Sequence, residues 1–496
     1  MAVNWLDNII GVFSPVSKAR RVRARAVSAL IENHLRKYEG ASVGRRTKNW
    51  RTPSSSANTE IAQSLPALRN RSRALVRDNC YAKRGISVIR ENVVGTGIIM
   101  QVNGPSESKS RKIDSLFDSW AEETWIDYDG RHDIYGLQSL AITAVAESGE
   151  VLIRRRRPKS SDNIPVPLQL QVLEADHLDG SINAEPAKGN TIIQGIEFDS
   201  NGQRVAYHLT SDHPGDQNIR QKSGKTVRIP ASDILHLYEC TRAGQIRGVP
   251  WLAPAIIKLR DLDEFEDAQL VRQKIAACFA AFIQDSDFAS DSNPIAGEQL
   301  VEKLEPGIIE HLPAGKEITF GNPPGVQGYK EFISVHLMAI ASALGVTYEA
   351  LTGDLSQVNF SSARMGWLEF QRNITGWQQR IMVAQFLRPL WGWFVQAASL
   401  AGYDPARLYP AMTMPRREMI DPTKEIPATI KAIRAGLMTL PEAIKMYGYD
   451  AHKQLAEIAA TNTEIDKLGL TLDSDPRRTN PSGEAIQNEG KPDEED

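Results

Sequence analysis

The sequence predicts a mixed α+β protein, mainly helical, and three features carry that expectation. Apolar residues recur every three to five positions through long stretches near both ends of the chain, the spacing of helices that turn one face to a core. Between those stretches lie short runs rich in Val, Ile, Leu and Tyr, the composition of strands in a small β-rich domain. The bulk composition is that of a globular protein: 41% hydrophobic and 24% charged residues in a chain of 496, long enough for about two to four folding units.

In chain order, Asn4 to Phe13 reads as a short amphipathic turn and Ala19 to Glu39 as a basic helix, since Ala, Arg, Leu and Lys favour that state. Gly40 ends it, and residues 41–58 form a Ser-, Thr- and Pro-containing linker. Leu65 to Glu91 has helical spacing through Leu68, Leu75, Ile86 and Ile89, and opens the folded body. Val93 to Val102 alternates as a strand broken by Gly95 and Gly97, while Ile113 to Trp125 and Leu137 to Ser148 are helical. Short strands follow at Glu150 to Arg157, Leu168 to Leu173, Thr191 to Phe198, Arg204 to Leu209, Thr226 to Ile229 and Ile234 to Tyr238.

From Trp251 to Gln284 the spacing of Ile256, Leu259, Leu262, Phe265 and Leu270 predicts a long helix, which carries Asp261, Asp263, Glu264, Glu266 and Asp267. Residues 285–325 interrupt it with Asp, Ser, Gly and Pro, keep strand-like Gly307 to Leu312 and Glu317 to Phe320, and read as a compact insertion between two helices. The second helix runs from about Gln327 to Ala343, Gly345 marks its end, and another begins near Glu349. After the polar segment Gly353 to Ser361, a helical stretch spans roughly Ser362 to Ala401, with a kink or break expected at Pro389. Such a stretch reaches ~60 Å if straight. Asp421 to Leu468 reads as two or three short helices stopped at Gly436 and Gly448, and the segment beyond Leu470 as a disordered acidic tail.

Composition excludes several classes. The longest apolar runs, Ile275 to Ile283 and Val395 to Gly402, fall far short of the ~20 residues that cross a bilayer. Arginines, not a small-residue cleavage site, follow the apolar stretch Ile9 to Phe13, so a secretory signal is not expected and synthesis in the cytoplasm is. Cys80, Cys240 and Cys278 are isolated and odd in number; neither a disulfide framework nor a zinc knuckle is expected of them, but buried reduced thiols are. The net charge of −3 conceals an asymmetry, because residues 18–51 are rich in Arg and Lys whereas the tail ends Lys-Pro-Asp-Glu-Glu-Asp. The basic end suits nucleic acid, an acidic partner, or a solvated arm with no fixed partner.

Catalytic motifs do not survive inspection. Ser223-Gly224-Lys225-Thr226 ends like a phosphate-binding loop, but Ile219 stands where that loop needs glycine, and a strand follows where it needs a helix. Gly40-Ala41-Ser42-Val43-Gly44 matches a nucleophile elbow without an apolar strand leading into it. Asp127-Tyr128-Asp129-Gly130 has Trp125 at the first calcium-ligand position and no twelfth-position glutamate, so it reads as a turn. The nine histidines show no metal spacing, and His236 and His336 read as hydrogen-bonded packing residues. No catalytic residue, cofactor site or metal site is therefore expected.

Leu355-Ser356-Gln357-Val358-Asn359-Phe360-Ser361-Ser362-Ala363-Arg364, leading into a long Trp- and Gln-containing helix, resembles the lambda-type family of phage portal proteins, the head-to-tail connectors of tailed phages. The same resemblance extends to Glu147-Ser148-Gly149-Glu150-Val151, to His236-Leu237-Tyr238, and to Arg242-Ala243-Gly244-Gln245-Ile246-Arg247-Gly248-Val249-Pro250-Trp251. Asp421-Pro422-Thr423-Lys424-Glu425, Arg434-Ala435-Gly436-Leu437 and Gly448-Tyr449-Asp450 carry it further, so that it covers residues 60–465.

The resemblance implies a portal fold: a basic arm and linker over residues 1–58, a wing with a β-rich part over 59–250, a first stem helix over 251–284 and an α/β clip over 285–325. A second stem helix with its following turn would occupy 326–352, a tunnel loop 353–361, a long helix returning to the wing 362–420, a helical crown 421–470 and the acidic tail 471–496. It implies a ring of about twelve copies at one capsid vertex of the virion, closed through one repeated heterologous interface. Double-stranded DNA would pass through it non-specifically, and the terminase large subunit, the major capsid protein and the neck and tail proteins would be its partners. Asp354, Leu355, Ser356, Gln357, Val358, Asn359 and Phe360 would be the DNA-facing loop residues. Asp261, Asp263, Glu264 and Asp267 would line the lumen, or else form salt bridges between subunits or an external solvated face. The competing classes are a packaging ATPase or nuclease, disfavoured by the missing phosphate-loop and metal-carboxylate signatures, and a shell or neck protein, disfavoured by the order helix, insertion, helix, polar loop.

Overall fold

The computed structural model describes residues 10, 12–34, 45, 48–50, 52–158, 164–185, 189–216, 226–277, 281–285, 316–320, 328–356 and 358–480. It divides into two units, Met1–Ser56 and Ala57–Asp496. The first holds helix α1, Pro15–His34. The second is mixed α+β and mainly helical.

That second unit begins with α2, Ala57–Asp78, and α3, Cys80–Val93. Sequence spacing reads these as one helix. The chain breaks at Asn79, whose extended backbone (φ −106°, ψ 126°) lets its side chain accept the Ala82 amide and cap α3. Helix α3 runs through Val93, so the strand expected from that residue is shorter: β1 is Ile99–Asn103. Helices α4, Glu107–Ala121, and α5, Ile134–Ser148, follow. Between them Asp127 accepts the amides of Asp129, Arg131 and His132, which makes the calcium-like segment a side-chain-closed turn.

Strands β2, Glu150–Arg156, and β3, Gln169–Glu174, pair antiparallel, and β8, Ile234–Tyr238, joins the other edge of β2. A four-stranded antiparallel sheet holds β4, Thr191–Ile193, β5, Ile196–Phe198, β6, Arg204–Thr210, and β7, Thr226–Pro230. The expected single strand over Thr191 to Phe198 is a hairpin instead. Gln194 and Gly195 at its tip both take positive φ (51° and 81°), the geometry of a tight two-residue turn.

The helix expected over Trp251 to Gln284 is shorter at both ends. Pro250 and Pro254 hold residues 251–255 in turns, α6 spans Ile256–Ala277, and Ala281–Asp285 is strand β9, paired with β10, Lys316–Phe320. A strand partner decided what single-chain spacing could not. Gly307 to Leu312 lies outside the described residues, as do the phosphate-loop-like residues up to Lys225 and the elbow-like Gly40 to Gly44.

Helix α7, Tyr329–Leu344, stops at Gly345, which adopts φ 68°, and α8, Tyr348–Thr352, stops at Gly353 with φ 74°. Helix α9, Phe360–Trp377, continues through a wide-turn stretch, Gln378–Leu387, into α10, Arg388–Leu400. Of the kink or break expected at Pro389, the break does not occur. The Arg388 amide bonds the Val383 carbonyl five residues back, and the backbone stays helical through Leu387 and Arg388. That wider turn stands directly before the proline, where a regular helix would drive the ring into the carbonyl four residues earlier. The long stretch is tied to the body by side chains: Gln378 donates to the Val93 carbonyl, Gln385 bonds both backbone groups of Tyr238, and Trp393 donates to the Ser232 carbonyl.

Strand β11, Tyr409–Thr413, pairs antiparallel with β1 and has no counterpart in the sequence reading. Three helices close the unit: α11, Pro422–Arg434, α12, Leu440–Met446, and α13, Ala451–Leu468. Residues 471–480, expected to be disordered, form turns in which buried Asp475 pairs with Arg477. Two further expectations fail on exposure, since Cys80 and Cys240 are exposed rather than buried. Cys80 is the first residue of α3, ahead of its buried face, and Cys240 lies two residues past the end of β8; Cys278 lies outside the described residues.

The main core joins α3 to α10 through residues such as Ile89, Trp120, Leu137, Ile153, Leu259, Ile340 and Phe386. A smaller core, including Leu152, Ile196, Tyr207 and Ile229, lies under the four-stranded sheet.

Candidate nucleic-acid interface

The loop between α8 and α9 is built by its own polar residues. The Asp354 amide donates to Thr352 Oγ1 at 3.1 Å, and the Asp354 carboxylate accepts the Ser356 amide at 2.9 Å. Those hydrogen bonds from Ser356 hold the Asp354 carboxyl below its ordinary pKa. The Val358 amide reaches back to the Leu355 carbonyl at 3.2 Å, which turns Leu355 outward at 67% exposure, with Ser356 exposed beside it. Gln357 lies outside the described residues.

Asn359 is committed to the helix that follows. It caps α9 by accepting the Ser362 amide at 2.9 Å while its own amide donates to Ser362 Oγ at 3.2 Å, a reciprocal capping box. Of the polar residues expected to offer exchangeable hydrogen bonds, Asn359 is thus already engaged, and Phe360 is the first residue of α9. Asn359→Ala is expected to lower stability by about 0.5–2 kcal/mol, with Asn359→Asp restoring most of it. Thermal unfolding followed at the helical signal checks this; an unchanged midpoint would mean that α9 is held by its packing alone.

On α6 the four expected carboxylates separate into two environments. Asp261, Glu264 and Asp267, at steps of three, form one exposed stripe, on which Arg260 pairs with Glu264 at 2.9 Å. Asp263 is half-buried off that stripe and accepts from Asn79 Nδ2 at 2.6 Å. Burial raises its pKa, the Asn79 hydrogen bond opposes that, and Asp267 adds to it. Glu266 is raised in the same way, by burial first and then by Asp263, and Tyr81 beside it is pushed up to about 12. Asp263 therefore belongs to the contact between α6 and the start of α3, while the other three face outward.

The fold also gathers a buried charge cluster that sequence reasoning missed. Glu150, without exposed side-chain surface, accepts from Arg247 at 2.6 Å, from Arg69 at 2.8 Å, from His236 Nε2 at 2.9 Å and from the Gly248 amide at 2.8 Å. Arg69 also meets Asp176 at 3.5 Å. Burial would raise the Glu150 pKa, but Arg247 and His236 hold it well below the carboxylate range. His236 is a hydrogen-bonded packing residue; burial lowers its pKa against the pull of Glu150. Beside the cluster the chain passes very close to itself. Gly149 has φ 92°, and a Cβ on it would sit 2.6 Å from the Val249 carbonyl carbon. Four separate segments, around Arg69, Glu150, His236 and Arg247, thus meet at one point. The available signal was a carboxylate and a guanidinium each set beside a glycine, Glu150 after Gly149 and Arg247 before Gly248.

His336 Nδ1 lies 3.0 Å from the Phe332 carbonyl. Among the described residues, one group of metal-ligating types gathers in space without any spacing in the sequence: Glu174, Asp176 and His213. Arg73 holds both of its carboxylates, at 2.7 and 2.6 Å, and so supplies the positive charge there.

A family model described as phage portal protein, lambda family, matches residues 43–378. A probable portal protein of Halomonas phage phiHAP-1 is 27% identical over 494 residues, covering 93% of this chain and 92% of that protein. Portal protein B of Escherichia phage lambda is 22% identical, covering 88% of this chain and 92% of its own length. Among solved structures, the neck of a native gene transfer agent particle aligns with TM-score 0.46 and 16% identity, over 79% of this chain and 99% of that one. An HK97 family phage portal protein from Corynebacterium diphtheriae aligns with TM-score 0.30 and 10% identity, over 64% and 86%.

Proposed function

Because the chain belongs to the lambda family of phage portal proteins, we propose that its copies close into a ring through which double-stranded DNA passes without being held. It is a structural subunit of the portal, serving DNA packaging and ejection. The ring has twelve members joined by one repeated heterologous interface, and stands at one vertex of the capsid. Its partners are the major capsid protein, the terminase large subunit during packaging, and neck and tail proteins afterwards. The chain is made in the host cytoplasm, catalyses no reaction and takes no cofactor.

The observation that carries this reading is an element order: helix α6, the antiparallel pair β9 and β10, helix α7, a short polar loop, and continuous helical backbone from Phe360 to Leu400. In the proposed assembly α6 and α7 are the stem, β9 and β10 the base of the clip, and the loop faces the duplex. Between Gly353 and Phe360 the sole charged residue is Asp354. Such a loop meets phosphates through exchangeable hydrogen bonds and has no cation to clamp them. The stripe Asp261, Glu264 and Asp267 adds repulsion of phosphates, which keeps binding weak for any sequence.

Negative-stain microscopy of the purified chain, with a mass measurement, is expected to show closed rings with a central channel wide enough for a duplex. A uniform monomer, or a sheet-like shell under every assembly condition, would overturn the conduit. Replacing Leu355 to Val358 by Gly and Ser, with Asn359 kept as the cap, is expected to leave rings intact and impair packaging or DNA retention. Loss of rings in that variant would make the loop a structural element.

A further inference from the structure

We propose that the basic N-terminal arm is a sequence-independent binding site for duplex DNA, separate from the loop and the stem. Charge is segregated along the chain. Residues 1–51 hold eleven Lys and Arg against Asp7, Glu32 and Glu39, a net of +8, so that the remainder, within a total of −3, stands at −11. A duplex is repelled by the bulk of the protein and attracted by the arm.

Helix α1 concentrates this charge. Lys18, Arg20, Arg21, Arg23 and Arg25 lie in its first three turns, its first acidic residue is Glu32, and the four arginines are exposed. Their directions select the partner. At about 100° per residue, counted from Lys18, Arg20 points to about 200°, Arg21 to 300°, Arg23 to 140° and Arg25 to 340°. The cations fall on two opposite sides of the helix, Arg20 and Arg23 on one and Lys18, Arg21 and Arg25 on the other. The exposed apolar side chains offer a protein partner no clean stripe: Val16 and Val27, at about 160° and 180°, sit between Arg23 and Arg20, and Val22 lies on the far side. An acidic protein surface meets one face of a helix, whereas these cations point to opposite faces. The major groove, about 12 Å wide, admits a helix and sets phosphates along both flanks, which matches cations on two opposite sides.

The arm would hold DNA that the loop lets slide. This inference shares with the conduit reading only the premise that duplex DNA reaches the protein, and the two can fail separately.

The test compares the full chain with a variant carrying Arg20→Gln, Arg21→Gln, Arg23→Gln and Arg25→Gln, by anisotropy of a labelled random-sequence duplex. With five phosphate contacts the slope of log affinity against log salt is expected near −4.5, so that affinity falls about five-hundred-fold between 50 and 200 mM salt. The variant is expected to lose most of the binding and to flatten the slope to about −1. Absence of duplex binding by the full chain at the lower salt, or undiminished binding by the variant, would overturn the proposal. So would polyglutamate that binds the full chain more tightly than duplex at equal charge, since the arm would then be a site for an acidic protein. Microscopy of both samples separates the two readings: rings in each leave the conduit standing whatever the duplex does, whereas absence of rings in the unmodified chain counts against the conduit alone.

Discussion

Glu150→Ala is expected to lower the folding free energy by about 3–5 kcal/mol, the cost of stranding buried charge. The carboxylate sits among Arg247, Arg69, His236 and the Gly248 amide. Its removal leaves two guanidinium groups, 6% and 3% exposed, facing each other, with Asp176 as the remaining counter-charge to Arg69. It also releases the segment around Gly248 from the start of β2. Glu150→Gln keeps the shape and one acceptor oxygen, and should recover part of the loss. Denaturant unfolding measures both; a cost for the alanine variant within the ~1 kcal/mol of an exposed pair would mean that water reaches the cluster.

The same cluster sets a pH dependence. Burial acts against an ionised Glu150, but Arg247 and His236 depress its folded pKa, so its contribution is complete above the unfolded value near 4.3 and is lost as pH falls through the lower folded one. His236 is depressed by burial, so its neutral ring contributes fully above its ordinary value of about 6.5 and less as pH drops below it. Both effects have one sign. Stability should decline from about pH 6.5 downward, and His236→Gln should remove the first part of that decline while leaving the acid-limb loss.

Phe394→Ala is expected to cost about 3–5 kcal/mol through lost burial and the cavity left behind. Phe394 has no exposed surface, meets Phe117 edge-on at 5.0 Å, stacks on Trp391 at 5.4 Å and lies 5.4 Å from Trp120. Each such ring pair adds about 0.5–1.5 kcal/mol beyond its buried area. The group fastens α10 to α4, and Trp120 continues the connection by donating to the Leu168 carbonyl at 2.9 Å. Phe394→Leu should lose less, because it fills more of the cavity. Calorimetry on the two variants reads the difference; an alanine variant that melts with the parent would mean that Gln378, Gln385 and Trp393 hold the long stretch without the aromatic group.

The candidate interface was partly legible. Asp261, Glu264 and Asp267 stand in helical steps of three, and the polar loop was visible from Gly353 onward, because caps and periodicity are written in neighbouring residues. The withdrawal of Asp263 to Asn79 was not visible, since its partner lies 184 positions away. Nor was the commitment of Asn359 to capping, although a side-chain acceptor three residues before Ser362 was a local signal for it.

By itself the sequence determined that this is a mainly helical α+β chain and where most of its helices and strands lie, properties that follow from side-chain spacing and turn chemistry within a few residues; the portal family was legible only through the resemblance of its ordered motifs. Tertiary structure alone decided the pairing of β1 with β11, the strand at Ala281–Asp285 and the cluster around Glu150. In each case distant segments supply the deciding partner. A ladder hydrogen bond or a counter-charge exists only once the chain has folded back on itself, and outweighs the weak local preference it overrides.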